Sequence, residues 1–373
     1  MLTNTPADPS PATGTRAGSP AGSGDRVVLK IGTSSLVTDG RLDPAKLDRL
    51  CDTVHRGVIA GLSPVLVTSG AIAIGRTRHP ALAAAGTVVQ QVAAALGQSR
   101  LYSAIQAAFA DRGLQTGQLL LTPYELVEAH RGGVRHTLET MLTLGMIPVV
   151  NENDALGVRN NDVLAALLSG FLQADLLLLL TDVPGLYDRD PTRSDDARPI
   201  GDVVALTPEL ERLAGGSAGG GGTGGMRMKL GACWIATFSG VRTVIADTTD
   251  PDVLVAAHSA DPVGTAFRPR AVTGATPGIG TLWRAFRTPP RGSVRCAPAG
   301  LSAVERGETL RHQHIVESHQ TFDNGDVVDI CAPDGRPVAR GEVRCAGPCT
   351  ADPASPLVAA GDYVRIVEEQ PCL

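Results

Sequence analysis

The chain has 373 residues, 43% of them hydrophobic but only 3% aromatic, and a net charge of −5. That length allows two domains, or one large domain with an added module, around a core of Ala, Val, Leu and Ile. Nothing in the charge balance suggests a general binder of nucleic acid or membrane surfaces, and no apolar run nears the roughly 20 residues that span a bilayer.

Residues 1–24 are rich in Pro, Ala, Gly, Ser and Thr without a hydrophobic centre, so they read as a disordered leader and not as a signal peptide. Seven cysteines at irregular spacing, with no secretion signal, point to a reducing cytoplasm. Cys331, Cys345, Cys349 and Cys372 gather near the end with His312, His314 and His319 upstream, but no pair has zinc-knuckle spacing. No protein-held metal is expected.

The first strand, Val27-Val28-Leu29-Lys30-Ile31, runs into the turn Gly32-Thr33-Ser34-Ser35. Free backbone N–H groups of such a turn, beside a lysine, suit an anion; an ordinary strand with an outward lysine is the alternative. Asp43-Pro44 opens an amphipathic helix with Leu47, Leu50, Val54 and Val58 on one face, ended by Gly61. Pro64-Val65-Leu66-Val67-Thr68 is a second strand, and it too meets a small-residue turn, Ser69-Gly70-Ala71. Two βα units in succession argue for a parallel sheet with helices on its faces, whose ligands sit at the carboxyl ends of the strands.

A long helix is expected over 88–110, a strand over 114–121, a helix over 137–144 and a strand over 146–150 that ends in Asn151-Glu152-Asn153-Asp154. Those four polar residues make a poor packing choice and a good site, although Asn and Asp also suit plain turns. Asn160-Asn161-Asp162 caps the next helix. The apolar run 176–180 reads as a central strand covered on both faces and ends in Thr181-Asp182. Residues 215–225 contain eight glycines and lead into a helix with Lys229 in its first turn. A linker explains the glycines; it does not explain a cation opposing the helix dipole, a conflict that a bound phosphate removes. A further strand follows over 241–246. Residues 268–280 read as a linker, and 281–373 as a β-rich module with turn signals at Asn324-Gly325-Asp326, Asp334-Gly335-Arg336 and Ala360-Gly361-Asp362.

Two lysines beside glycine-rich loops are what phosphoryl transfer needs, with an acidic residue between them to hold both. No Walker-type or dinucleotide glycine motif is present. Taken together, Lys30-Ile31-Gly32-Thr33-Ser34, Val67-Thr68-Ser69-Gly70-Ala71-Ile72-Ala73, Gly97-Gln98-Ser99-Arg100-Leu101, Gln118-Leu119-Leu120-Leu121-Thr122, Pro148-Val149-Val150-Asn151-Glu152-Asn153-Asp154, Leu179-Leu180-Thr181-Asp182 with Gly185-Leu186-Tyr187, and Gly222-Thr223-Gly224-Gly225-Met226 with Lys229 resemble the glutamate 5-kinases of the amino acid kinase family. The terminal module resembles a PUA domain.

The resemblance implies a three-layer αβα kinase domain over 25–267 with a mostly parallel central sheet, and a PUA-like domain over 281–373. It implies ATP-dependent phosphorylation of the glutamate side-chain carboxylate, with magnesium on the nucleotide phosphates. By position, Lys30 and Lys229 would stabilise the transferring group and Asp162 would orient them. Ser69, Gly70, Ala71, Asp154 and Asn161 would hold the amino acid. Gly32, Thr33, Thr181, Asp182, Thr223, Gly224, Gly225 and Met226 would bind ATP. A homo-oligomer, and an acyl-phosphate reductase downstream, belong to the same expectation; nucleic acid and membrane do not. One departure stands out. The loop between Asp154 and Asn161 is several residues shorter than usual, and Asn160 replaces an aspartate. A paralogue that phosphorylates another carboxylate or a phosphonate is therefore the alternative, and an RNA-binding regulator with a retired kinase domain a remote one.

Overall fold

The computed structural model describes residues 24–127, 131–157, 160–189, 191, 194–213, 223–270, 276–344 and 352–366. The leader up to residue 23, Val158 and Arg159, the glycines of 215–222, and Cys345, Cys349 and Cys372 lie outside the described residues.

Eight strands build the main sheet: β1 (Arg26–Ile31), β2 (Ser63–Val67), β3 (Thr116–Leu121), β4 (Ile147–Glu152), β5 (Leu176–Thr181), β6 (Asp202–Val203), β7 (Arg242–Asp247) and β8 (Thr265–Phe267). Their spatial order is β6-β8-β7-β5-β1-β2-β4-β3. The six strands from β7 to β3 run parallel, and only β8 pairs antiparallel with β7. β5, the run of leucines, sits near the middle and is buried along its whole length, as a strand covered on both faces requires.

The helices are α1 (Pro44–Ile59), α2 (Ala71–Arg76), α3 (Thr87–Ala110), α4 (Pro123–Val127), α5 (Arg131–Thr143), α6 (Asn161–Leu172), α7 (Pro208–Leu213), α8 (Thr223–Phe238), α9 (Val253–Ser259), α10 (Ile279–Phe286) and α11 (Pro298–Glu305). Side chains alternate across a strand, and the core divides accordingly. Val28, Val65, Val67, Leu177, Leu179 and Ile245 pack with α6, α8 and α10 on one face. Val27, Leu29, Ile31, Leu66, Leu176, Leu178 and Val244 pack with α1, α3 and α9 on the other. Lys30 has the parity of Val28, so it points at α6 and α8.

Two differences from the sequence reading have local causes. The helix expected over 137–144 begins at Arg131, because Arg135 lies 4.4 Å over the Phe171 ring and Val134 joins the core; these contacts override the weak helix propensity of Gly132 and Gly133. The C-terminal module is β-rich as expected, and the difference is a helix within it that the sequence reading did not place. Beside its sheet of β9 (Gly292–Cys296), β10 (Ile315–His319), β11 (Val327–Cys331), β12 (Pro337–Glu342) and β13 (Tyr363–Arg365), in the order β10-β9-β11-β12-β13, it carries α11. α10 lies at its entrance and buries Leu282, Trp283, Ala285 and Phe286. No cap side chain precedes α10, whose N-cap is Gly278, so its start left no signal.

α2 and α3 touch backbone to backbone. A Cβ on Gly75 would lie 1.8 Å from the Ala93 carbonyl oxygen, and one on Gly97 would lie 1.9 Å from that of Ala71. Gly97→Ala is expected to cost at least about 1–3 kcal/mol, read as a lower urea midpoint at constant slope; an unchanged midpoint would contradict this packing.

Candidate active site

The carboxyl ends of β1, β2, β4 and β5 meet at one edge of the sheet, and the polar turns converge there. Asn160 caps α6: its side-chain oxygen accepts the Asp162 N–H at 2.7 Å. This cap fixes the first turn, where Asp162 complements the positive end of the helix. One carboxylate oxygen of Asp162, Oδ1, lies 2.6 Å from Lys30 Nζ; the other, Oδ2, accepts from Lys229 Nζ at 3.2 Å. Lys30 and Asp162 are each only 5% exposed. The expected acidic bridge between two lysines is therefore present as geometry.

The electrostatics follow from this packing. Burial pulls the Lys30 ammonium below its ordinary value of 10.5; Asp162 opposes that effect, and the charge of Lys229 adds to it. For Asp162 burial acts upward, but the two facing ammonium groups outweigh it and hold the carboxyl below its ordinary 3.8.

Lys229 is the seventh residue of α8, not a member of its first turn. Thr223, Gly224, Gly225 and Met226 are already helical backbone and take up the first turn. The dipole conflict expected for this lysine fades by the second turn, so its charge is matched by Asp162 and not by the helix end. Met226 packs on the core beside α6.

Next to Lys30 opens a cavity of about 360 Å³, lined by Lys30, Thr33, Ser69, Gly70, Ile72, Ala73, Arg76, Asp154, Asn160 and Asn161. Ser69, Gly70, Asp154, Asn161, Thr33 and Lys30 are thus brought together, and Ala71 is buried behind them as the first residue of α2. Gly70 has φ +114°, and a Cβ there would meet Val37 at 3.0 Å, so the turn needs glycine. Asn161 Oδ1 accepts the Glu152 N–H at 3.0 Å, which leaves its amide nitrogen as the group that can donate elsewhere. Asn151 donates to Gln98 Oε1 at 2.7 Å, tying α3 to the end of β4.

Thr181 is buried at the end of β5, and its hydroxyl donates to Asp182 Oδ1 at 3.1 Å. A Cβ on Gly32 would make only ordinary contacts, the nearest at 3.9 Å with the Leu180 carbonyl. Gly32, Thr181 and Asp182 are absent from the lining of this cavity. Arg76, which does line it, was missed from sequence, because an arginine ending a short helix has no motif of its own. Among the described residues no group of three His, Cys, Asp or Glu side chains could hold a metal, and no helix is long and apolar enough to cross a membrane.

A mostly parallel sheet with helices on both faces carries at its strand ends two lysines bridged by one aspartate, an arrangement whose fixed charges suit phosphoryl transfer. The chain belongs to the amino acid kinase family, whose pattern matches residues 25–247; residues 301–349 match the PUA domain. Similar proteins include the glutamate 5-kinase of Trichlorobacter lovleyi, 41% identical over 330 residues that cover 85% of this chain and 86% of the relative. The glutamate 5-kinase of Salinispora arenicola is 40% identical over 334 residues, covering 86% and 87%. In fold, the chain is similar to the UMP kinase of Bacillus anthracis, with a TM-score of 0.50, 14% identity, and coverage of 66% of this chain and 97% of that one.

Proposed function

We propose that the chain is a glutamate 5-kinase, transferring the γ-phosphoryl group of ATP to the side-chain carboxylate of L-glutamate in proline biosynthesis. The observation that carries this is the Lys30–Asp162–Lys229 bridge beside a polar cavity, in a chain about 40% identical to named glutamate 5-kinases.

A side-chain carboxylate oxygen forms a bond to the γ-phosphorus as the bond from that phosphorus to the β–γ bridging oxygen breaks. ADP leaves and an acyl phosphate remains. The nucleophile is already ionised, so no proton moves and no general base is needed. Catalysis is alignment plus charge stabilisation by Lys30 and Lys229. Ser69, the Gly70–Ala71 turn, Asp154 and Asn161 hold the amino acid; Gly32, Thr33, Thr181, Asp182 and residues 223–226 hold ATP. Magnesium would arrive on the nucleotide phosphates and keep most of its water. We assign the kinase domain to 25–267 and the PUA-like domain to 281–373, and expect a cytoplasmic homo-oligomer that supplies an acyl-phosphate reductase.

The test is ADP release with hydroxylamine trapping of acyl phosphate across a panel of acids. Turnover of glutamate above the other acids is expected; turnover of another acid with none of glutamate would instead establish the paralogue. That second assignment draws on Asn160, whose side-chain oxygen caps α6 at a position where the resemblance implies an aspartate. Ser69→Ala is expected to raise the glutamate KM about 3–10-fold, the loss of one neutral hydrogen bond, with little change in the KM for ATP. An unchanged glutamate KM would remove Ser69 from the site.

A further inference from the structure

Arg76 closes α2 and lines the acceptor cavity with Ser69, Asp154 and Asn161. Lys30 and Arg76 are the two cations among the described lining residues. The Arg76 Nε is buried without a hydrogen-bond partner, a costly state for a guanidinium donor unless a ligand supplies the acceptor. The backbone that carries this side chain is held in place. Its helix is pressed onto α3 through Gly75, whose Cβ would overlap the Ala93 carbonyl at 1.8 Å.

We propose that Arg76 is the specificity clamp for the α-carboxylate of the acceptor. This rests on the glutamate kinase function given above and adds to it what makes the cavity select a dicarboxylate. Glutamate carries two carboxylates and one ammonium group. Lys30 meets the carboxylate that reacts, Asp154 suits the ammonium, and Arg76 supplies a forked donor for the carboxylate that does not react.

The acceptor pair that isolates this contact is glutamate and 4-aminobutyrate, which differ only by the α-carboxylate. Each is measured as substrate by ADP release, and 4-aminobutyrate also as a competitor of glutamate, with wild type, Arg76→Met and Arg76→Lys. In Arg76→Met the preference for glutamate over 4-aminobutyrate is expected to fall about 10–150-fold, mainly through the glutamate KM, while the KM for ATP holds. Arg76→Lys keeps the charge without the fork and should recover part of the preference; it also serves if the methionine variant unfolds. A parallel loss with both acceptors, or an unchanged ratio, overturns the clamp and leaves the kinase function standing. A wild-type enzyme idle with glutamate but active on an acid with a single carboxylate overturns both.

Discussion

Asp162→Asn is expected to lower kcat by about 10²–10³-fold, the scale for removing one fixed electrostatic group from a buried reaction centre. The carboxylate does two things at once: it sets the positions of the two ammonium groups, 2.6 and 3.2 Å away, and it offsets their mutual repulsion. Asparagine keeps the shape and removes the charge. Lys30 already titrates below 10.5 because burial disfavours its charged form; without Asp162 it loses the interaction that opposes this and falls further. The basic limb of the pH–rate profile should therefore lie below 10.5 in wild type and move to still lower pH in the variant, with part of the lost activity regained on acidification. The stability signature has the opposite sense. The Asp162 carboxyl titrates lower in the folded chain than its ordinary 3.8. Its contribution is thus complete above 3.8 and is lost as the pH falls through the lower folded value. Asp162→Asn should abolish that acid-limb loss. A variant with unchanged kcat and an unchanged basic limb would reduce Asp162 to an ordinary first-turn residue of α6.

Much of this site is written locally and is legible for that reason. Strand parity alone sends Lys30 to the α6 face, and Asn160 followed by Asn161 and Asp162 marks a helix start that fixes where Asp162 points. The motifs at Ser69-Gly70, Asn151 to Asp154 and Thr181-Asp182 all sit at the ends of apolar runs, the sheet edge where ligands gather. What stayed hidden depends on contacts between segments distant in sequence. Arg76 became a cavity residue through the fit of Gly75 and Gly97 against neighbouring backbone, which no spacing encodes. Lys229 was legible as a partner of Asp162 but not in its helical position, since Gly224 and Gly225 are poor helix formers that the structure nevertheless holds in α8. The join between the domains was missed for the same reason. α10 lacks a capping side chain, and its aromatic residues find partners far away in the sequence: Phe286 stacks on Trp234 at 5.3 Å and on Phe238 at 5.8 Å, both in α8, and Trp283 meets Tyr124 of α4 edge-on at 5.1 Å.

That join carries the second large effect. Arg340, on β12, is 2% exposed. Its Nε donates to Asp329 Oδ1, the cross-strand neighbour on β11, at 2.7 Å; an Nη lies 2.8 Å from Glu211 Oε2 on α7. The same Glu211 oxygen accepts from Trp234 Nε1 at 3.3 Å, and the guanidinium lies 5.6 Å over the Phe286 ring. One arginine of the C-terminal sheet thus joins α7, α8 and α10, and α8 carries Lys229. Replacing a buried ion pair by a matched apolar set can be neutral, but removing one partner leaves the others charged and unpaired, at about 3–5 kcal/mol. Arg340→Ala strands two carboxylates, one of them Glu211, which is buried. It is therefore expected to lose about 3–5 kcal/mol in urea unfolding, more than a surface pair such as Arg56–Asp252, whose loss should stay within ~1 kcal/mol. Because Glu211 also holds the Trp234 indole, kcat should fall with stability in Arg340→Ala. In Arg340→Met with Glu211→Gln and Asp329→Asn, where no charge is stranded and the stem still packs on Phe286, most of the stability should return. An Arg340→Ala variant within ~1 kcal/mol of wild type would show that the cluster is solvated in solution and that the aromatic stack and core packing of α8 hold it without the arginine.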